Sequence, residues 1–294
     1  MSIRAEAIPL EGPLPGGVDG TSVTVEPIEA GRAKFPAQFF EFEGGLSNRL
    51  SLLRGNDMNV PVPVYLVRHP AAGHILIDTG LHPSIANDPK DNMGRFMARF
   101  FELEQGQDLI SKLRAKGLGP GDIHVVVLTH LHTDHASGIS NFPDATFVVS
   151  EAEWDYAQKA KQRKGYLAKH YDHAFDYCSV DFDADYVDSY GPFGRTFDLF
   201  GDGSVRLIYT PGHSAGHMSV ALRLPRRDFV VGADIAYTWR QLTGGPEPFQ
   251  VHDRHNFRRS LKEMQAYRQQ YPYAIVVPGH DQAFFDQLDA KYEE

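Results

Sequence analysis

Short apolar runs punctuate this chain and set its first reading. Val125-Val126-Val127-Leu128, Phe147-Val148-Val149, Val205-Arg206-Leu207-Ile208-Tyr209, Phe229-Val230-Val231-Gly232-Ala233 and Ile275-Val276-Val277 read as strands, the first of them buried. Val62 to Val67 and His74 to Ile77 flank a loop holding Pro70 and Gly73, which predicts a hairpin. Ser22 to Val25 and Gln38 to Phe42 read as two further early strands, and residues 1–20, rich in Gly and Pro, as an irregular arm. Helical spacing marks the covering elements. Met93, Phe96, Met97 and Phe100 share one face of a helix over Asn92 to Leu103. Leu109, Ile110 and Leu113 do so over Asp108 to Lys116, with Gly117 as the stop. Ser150-Glu151-Ala152-Glu153 has the form of a capping box opening a helix that carries Trp154 and Tyr156. Phe257, Leu261, Met264, Tyr267 and Tyr271 line a helix over Asp253 to Tyr271. Strands in both halves with helices outside predict an α/β fold of two sheets packed face to face and flanked by helices.

Composition narrows this without changing it. The 294 residues are 42% hydrophobic and 12% aromatic, ample for a packed core. With no composition break or repeat, the expectation is a single domain over 1–294. The formal charge of −9 leaves no basic footprint for nucleic acid; Arg226-Arg227 and Arg258-Arg259 are short pairs expected in solvent. Cys178 stands alone, so no intrachain disulfide forms and a reducing compartment is compatible. The first residues lack the apolar core of a signal peptide, and no window approaches the ~20 apolar residues of a membrane span. Cytoplasmic placement with no membrane partner is the expectation. His170 and His173 lack a partner set and are expected at the surface.

Candidate chemistry concentrates just after the Val125 run, in Thr129-His130-Leu131-His132-Thr133-Asp134-His135. Imidazole and carboxylate together suit zinc or a similar divalent ion. His130 and His132, two apart in extended backbone, project to one side and can share an ion. Asp134 and His135, in a turn after the strand, can reach a second. Three later residues of ligand type also end strand-like runs: His213 in Thr210-Pro211-Gly212-His213, Asp234 after Ala233, and His280 in Pro278-Gly279-His280.

The pattern His-x-His-x-Asp-His with His213, Asp234 and His280 following in order resembles the metallo-β-lactamase superfamily, from about Val64 to His280. The resemblance implies an αβ/βα sandwich and two divalent metal ions, zinc above all. It assigns His130, His132 and His213 to one ion, Asp134, His135 and His280 to the other, and Asp234 as the bridge. It makes Asp78, in Asp78-Thr79-Gly80, a support that hydrogen-bonds a ligand histidine. His132 departs from the di-iron oxidoreductases, which have glutamate there, and Asp234 from the commonest zinc β-lactamases, which have cysteine. Only Asp281 to Glu294 follow His280, too little for the helical region of glyoxalase II.

Gly232-Ala233-Asp234-Ile235-Ala236-Tyr237 is similar to the N-acyl homoserine lactone hydrolases. That implies a small-molecule lactone opened by a metal-bridging hydroxide, with Asp134 and Tyr237 as catalytic residues, the tyrosine hydroxyl lying near the lactone carbonyl. It also places Phe96 and Phe100 where related lactonases touch the acyl chain, against the plainer reading that they pack the core. A homodimer is compatible. The alternatives are another ester, thioester or phosphoester hydrolase on the same scaffold, or a mononuclear iron persulfide dioxygenase.

Overall fold

The computed structural model describes residues 5–44, 57–160 and 165–294, and the apolar runs sort there into two sheets. In chain order the strands are β1 (Ala7–Pro9), β2 (Thr24–Pro36), β3 (Asp57–His69), β4 (Gly73–Ile77), β5 (Phe101–Glu102), β6 (Ile123–Val127) and β7 (Thr146–Ser150). They continue with β8 (Asp176–Val180), β9 (Asp188–Tyr190), β10 (Phe193–Asp198), β11 (Val205–Tyr209), β12 (Met218–Arg223), β13 (Asp228–Ala233) and β14 (Ile275–Pro278). The first sheet has the order β1-β8-β7-β6-β4-β3-β2-β5, the second β14-β13-β12-β11-β10-β9.

Alternation of side chains across each sheet builds three apolar layers. Val67, Ile75, Ile77 and Val127 from the first sheet meet Leu207, Val220 and Val231 from the second in the central core. Their neighbours Leu66, Leu76, Val126 and Phe147 face outward, under Leu109, Leu113 and Trp154 of the helices Leu109–Ala115 and Glu151–Lys159. Ile208, Val230 and Val276 meet Phe257, Leu261, Met264 and Tyr267 of the helix Arg254–Gln270. This is the expected αβ/βα sandwich. Strands such as β6, covered on both faces, lack polar alternation for that reason.

The β3–β4 hairpin, pairing Tyr65 with Ile77 and His69 with Gly73, lies where the loop signal puts it. The helix after Asp108 starts with that carboxylate accepting from Ser111 N and stops before Gly117, whose φ of +79° suits glycine. Four expectations need correcting. Where a strand over Gln38 to Phe42 is expected, Ala37–Phe40 form a short helix, because Pro36 ends β2 and turns the chain. The helix over Asn92 to Leu103 spans Pro89–Met97, is kinked at Gly94 (φ +74°), and gives way to β5. Met93 is therefore buried while Phe96 is 62% exposed. Within the supposedly irregular arm, Ala7–Pro9 pairs in parallel with Tyr177–Ser179. His170 is buried rather than at the surface, its Nε2 donating toward the backbone and side-chain oxygens of Asn92; His173 is half-buried.

Strands β4 and β6 run parallel to each other, as do β13 and β14. Their carboxyl ends, with the loop joining β11 to β12, open on one rim of the sandwich, which is where the ligand-type residues lie. Two non-glycine residues with positive φ, Asp78 (+63°) and Ala233 (+47°), sit on this rim. Such backbone persists only where its surroundings enforce it, and it clusters at functional sites.

Candidate metal centre

His130 and His132 lie in the loop that leaves β6, and the short helix Thr133–Ala136 then carries Asp134 and His135. The loop after β11 brings His213, the end of β13 Asp234, and the end of β14 His280. The structure draws these seven side chains into two groups: His130, His132, His213 and Asp234, and Asp134, His135 and His280.

In the first group His130 Nε2 lies 3.0 Å from His132 Nδ1 and 3.2 Å from His213 Nε2, which is itself 3.2 Å from Asp234 Oδ2. In the second, His280 Nε2 lies 3.2 Å from Asp234 Oδ1 and 3.6 Å from Asp134 Oδ2, and His135 Nε2 lies 3.5 Å from Asp234 Oδ1. Asp234 thus turns one oxygen to each group. Ligand atoms ~2.0–2.1 Å from a tetrahedral ion stand ~3.3–3.4 Å apart, so both groups have spacings near those a zinc-type ion requires.

In the second group the outer nitrogens are fixed by partners, leaving the inner ones as lone pairs. His135 Nδ1 lies 2.7 Å from Asp78 Oδ2, and His280 Nδ1 is 2.9 Å from the Pro61 carbonyl. Asp78 also accepts from Thr129 N and Thr129 Oγ1, so it braces the ligand loop at two points. Inside, His135 Nε2 and Asp234 Oδ1 are buried without a hydrogen-bond partner. Buried polar atoms are seldom left so, and a cation between them satisfies both. The residues fit a pair of divalent ions.

Electrostatics point the same way. Burial, then the neighbouring histidines, hold His130 well below its usual range; burial does the same for His213. Burial opposes the charged form of His135, but Asp134, Asp78 and Asp234 outweigh it and lift it to about 10. Burial likewise opposes Asp234, yet His280, His213 and His135 bring it well below the carboxylate range. The second group is negative enough to retain a proton without a metal, and a metal cation displaces such a proton.

A cavity of about 550 Å³ opens over the two groups, with His132, Asp134, His213, Asp234 and His280 at its floor. Its walls are aromatic. Phe35 stacks between Phe39 (5.0 Å) and Phe100 (4.6 Å), and Phe96 meets Phe100 edge-on at 5.6 Å. Both Phe96 and Phe100 line the cavity, Phe96 at its exposed lip. Tyr237 is buried with its hydroxyl 3.0 Å from His213 Nδ1. Burial first, then Asp234 and Asp134, push its pKa well above the usual range, so it stays a phenol.

Sequence reading missed three residues here. His217 is buried and its Nε2 accepts the Asp234 amide at 3.0 Å; the signal was a second Gly-His pair at Gly216. Tyr166 packs edge-on against His132 at 4.8 Å. Glu153 does not reach back to Ser150 as in a capping box. Ser150 does accept from Glu153 N, but the Glu153 carboxylate turns to the ligand loops instead.

Residues 58–280 match the family model of the metallo-β-lactamase superfamily. The N-acyl homoserine lactonase AttM of Agrobacterium fabrum (strain C58 / ATCC 33970) is 33% identical over 231 residues, covering 77% of this chain and 84% of the relative. An N-acyl homoserine lactonase of Bacillus cereus is 28% identical over 235 residues, covering 79% and 85%. Among solved structures, an N-acyl homoserine lactone hydrolase with N-hexanoyl-L-homoserine bound at its catalytic metal center superposes with a TM-score of 0.75. It is 22% identical and covers 92% of this chain and 97% of that one, a likeness of fold.

Proposed function

This chain belongs to the metallo-β-lactamase superfamily, and on that premise we propose that it is a dinuclear metal-dependent lactonase that opens N-acyl homoserine lactones. The observation that carries the reading is Asp234, one oxygen toward each ligand group, directly beneath a cavity with aromatic walls. His130, His132, His213 and Asp234 would hold one divalent ion and Asp134, His135 and His280 a second. Such ions would supply an acidified water near neutral pH and polarisation of the lactone carbonyl. Zinc suits the donor set of imidazole and carboxylate.

The chain's own groups do the rest. Because His213 offers Nε2 inward, its Nδ1 carries the proton and donates to the Tyr237 oxygen. The phenol hydrogen is then free to donate to the carbonyl oxygen as negative charge develops on it. Asp134 lines the cavity and is a carboxylate able to take the proton of the attacking water and deliver it to the ring oxygen as the C–O bond breaks. Phe35, Phe39, Phe96 and Phe100 give the acyl chain an apolar wall.

The proposal extends to one domain over 1–294, supported by a ligand set drawn from both sheets. It includes cytoplasmic placement and a homodimer compatible with the fold. Among the described residues no helix is long and apolar enough to cross a membrane. Ring opening yields a hydroxy acid and releases one proton, so a panel of acyl lactones, thioesters and phosphotriesters followed at constant pH tests the substrate class. The lactones should be turned over fastest; a thioester or phosphotriester exceeding every lactone contradicts the assignment.

A further inference from the structure

Glu153 is fully buried. Its Oε1 accepts from Leu131 N at 3.0 Å and the Tyr166 hydroxyl at 2.8 Å. Its Oε2 accepts from Ser214 Oγ at 2.7 Å and Gly216 N at 2.9 Å. A buried carboxylate is costly unless hydrogen-bonded, and four donors meet that need. What the donors belong to gives the residue its meaning. Leu131 lies between the ligand-type residues His130 and His132 on the first sheet's loop. Ser214 follows His213 on the second sheet's loop. Tyr166 rests its ring on His132.

The surroundings are built for this contact. A Cβ on Gly216 would come within 2.1 Å of Ser150 Oγ and 2.2 Å of Glu153 N, so only glycine lets the second loop sit on this helix. Ser150 Oγ in turn donates to the Gly216 carbonyl at 2.6 Å. The helix Glu151–Lys159 therefore clamps the second loop while its Glu153 reaches through to the first.

We propose that Glu153 is the positioning residue that sets the spacing of His130, His132 and His213, by tying their two loops to one carboxylate. It belongs to neither ligand group and does not line the cavity. The inference rests on the metal reading above. It also explains how ligands from separate sheets hold one geometry: His132 Nδ1 and His213 Nε2 stand 3.0 Å apart although 81 residues separate them in sequence.

The test is Glu153→Gln, which keeps one acceptor oxygen but turns an amide toward two donors. The backbone N–H on that side, of Leu131 or Gly216, cannot reverse its role and is left unpaired. Metal-free wild type and variant are titrated with Co²⁺ and followed by visible absorption, with His280→Ala identifying the bands of the three-histidine group. Outer partners of metal ligands typically matter ~10- to 100-fold in affinity. Glu153→Gln should lose that much at the three-histidine group, change its bands, hold the other group, and lower kcat more than it raises KM. Tyr171→Phe removes another buried hydrogen bond of the same helix, to the Ala157 carbonyl. It should lower Tm and leave the Co²⁺ titration alone. Wild-type affinities and bands in Glu153→Gln, or an equal loss in Tyr171→Phe, overturn the proposal. Should Glu153→Gln not fold, Ser214→Ala combined with Tyr166→Phe removes one donor from each oxygen and is read in the same way. Wild type answers the metal reading separately: a single Co²⁺ ends the dinuclear assignment while the three-histidine bands still judge Glu153, and no Co²⁺ at all overturns both.

Discussion

The hydroxyl of Tyr237 lies 3.0 Å from Nδ1 of His213. A ring that offers Nε2 inward must carry its proton on Nδ1, so this contact fixes the histidine and frees the phenol hydrogen at once. Tyr237→Phe removes that donor with little change of volume. Turnover of an acyl lactone should fall ~10²-fold, the usual loss for one preorganised transition-state donor, while metal content is kept. Steady-state kinetics with elemental analysis check this; unchanged kinetics reduce Tyr237 to packing.

Phe96 and Phe100 make the second prediction. Each methylene moved from water to an apolar wall is worth ~0.8 kcal/mol, about fourfold in kcat/KM. Wild type should favour longer acyl chains until the cavity is full. Phe96→Ala should flatten that preference with little effect on Tm, because the ring is 62% exposed. Phe100→Ala removes a ring stacked on Phe35 and should both flatten the preference and lower Tm. A long-to-short ratio unmoved in both variants places the acyl site elsewhere.

His170 predicts an acid-side loss of stability. Burial pushes its pKa down to about 4, against the pull of the Asn92 carbonyl, from 6.5 in the unfolded chain. Above pH 6.5 the ring is neutral in both states. As pH falls from 6.5 toward 4 the unfolded chain gains a proton that the folded one refuses, so stability drops, by roughly 3 kcal/mol in all. His170→Gln keeps a donor for Asn92 but does not titrate. Urea unfolding at several pH values should give it a shallower acid slope; equal slopes contradict the assignment.

Much of this was legible because β6, β11, β13 and β14 are apolar runs ending in ligand-type residues, and side-chain alternation then decides the layers. The site resisted reading where its support is long-range. Glu153 lies 22 residues from Leu131 and 63 from Gly216, so the local Ser150 pattern suggested only a helix cap. His170 appeared to be a surface residue because its partner Asn92 is 78 residues away. The aromatic run at Phe39 and Phe40 has strand character, but Pro36 breaks the strand and the rings fold over the cavity instead. Kinking at Gly94 likewise split a helical pattern that spacing alone joined.

Asp234 is placed to hold two ions together, and turnover should need both. Its Oδ2 faces His213 at 3.2 Å and its Oδ1 faces His280 at 3.2 Å. The most direct measurement is a zinc titration of the metal-free protein, with proton release from N-hexanoyl homoserine lactone recorded at each step. Full turnover should be reached only at two equivalents, and Asp234→Ala should fall short of both the occupancy and the rate. Full activity at one equivalent, or activity without metal, contradicts the account.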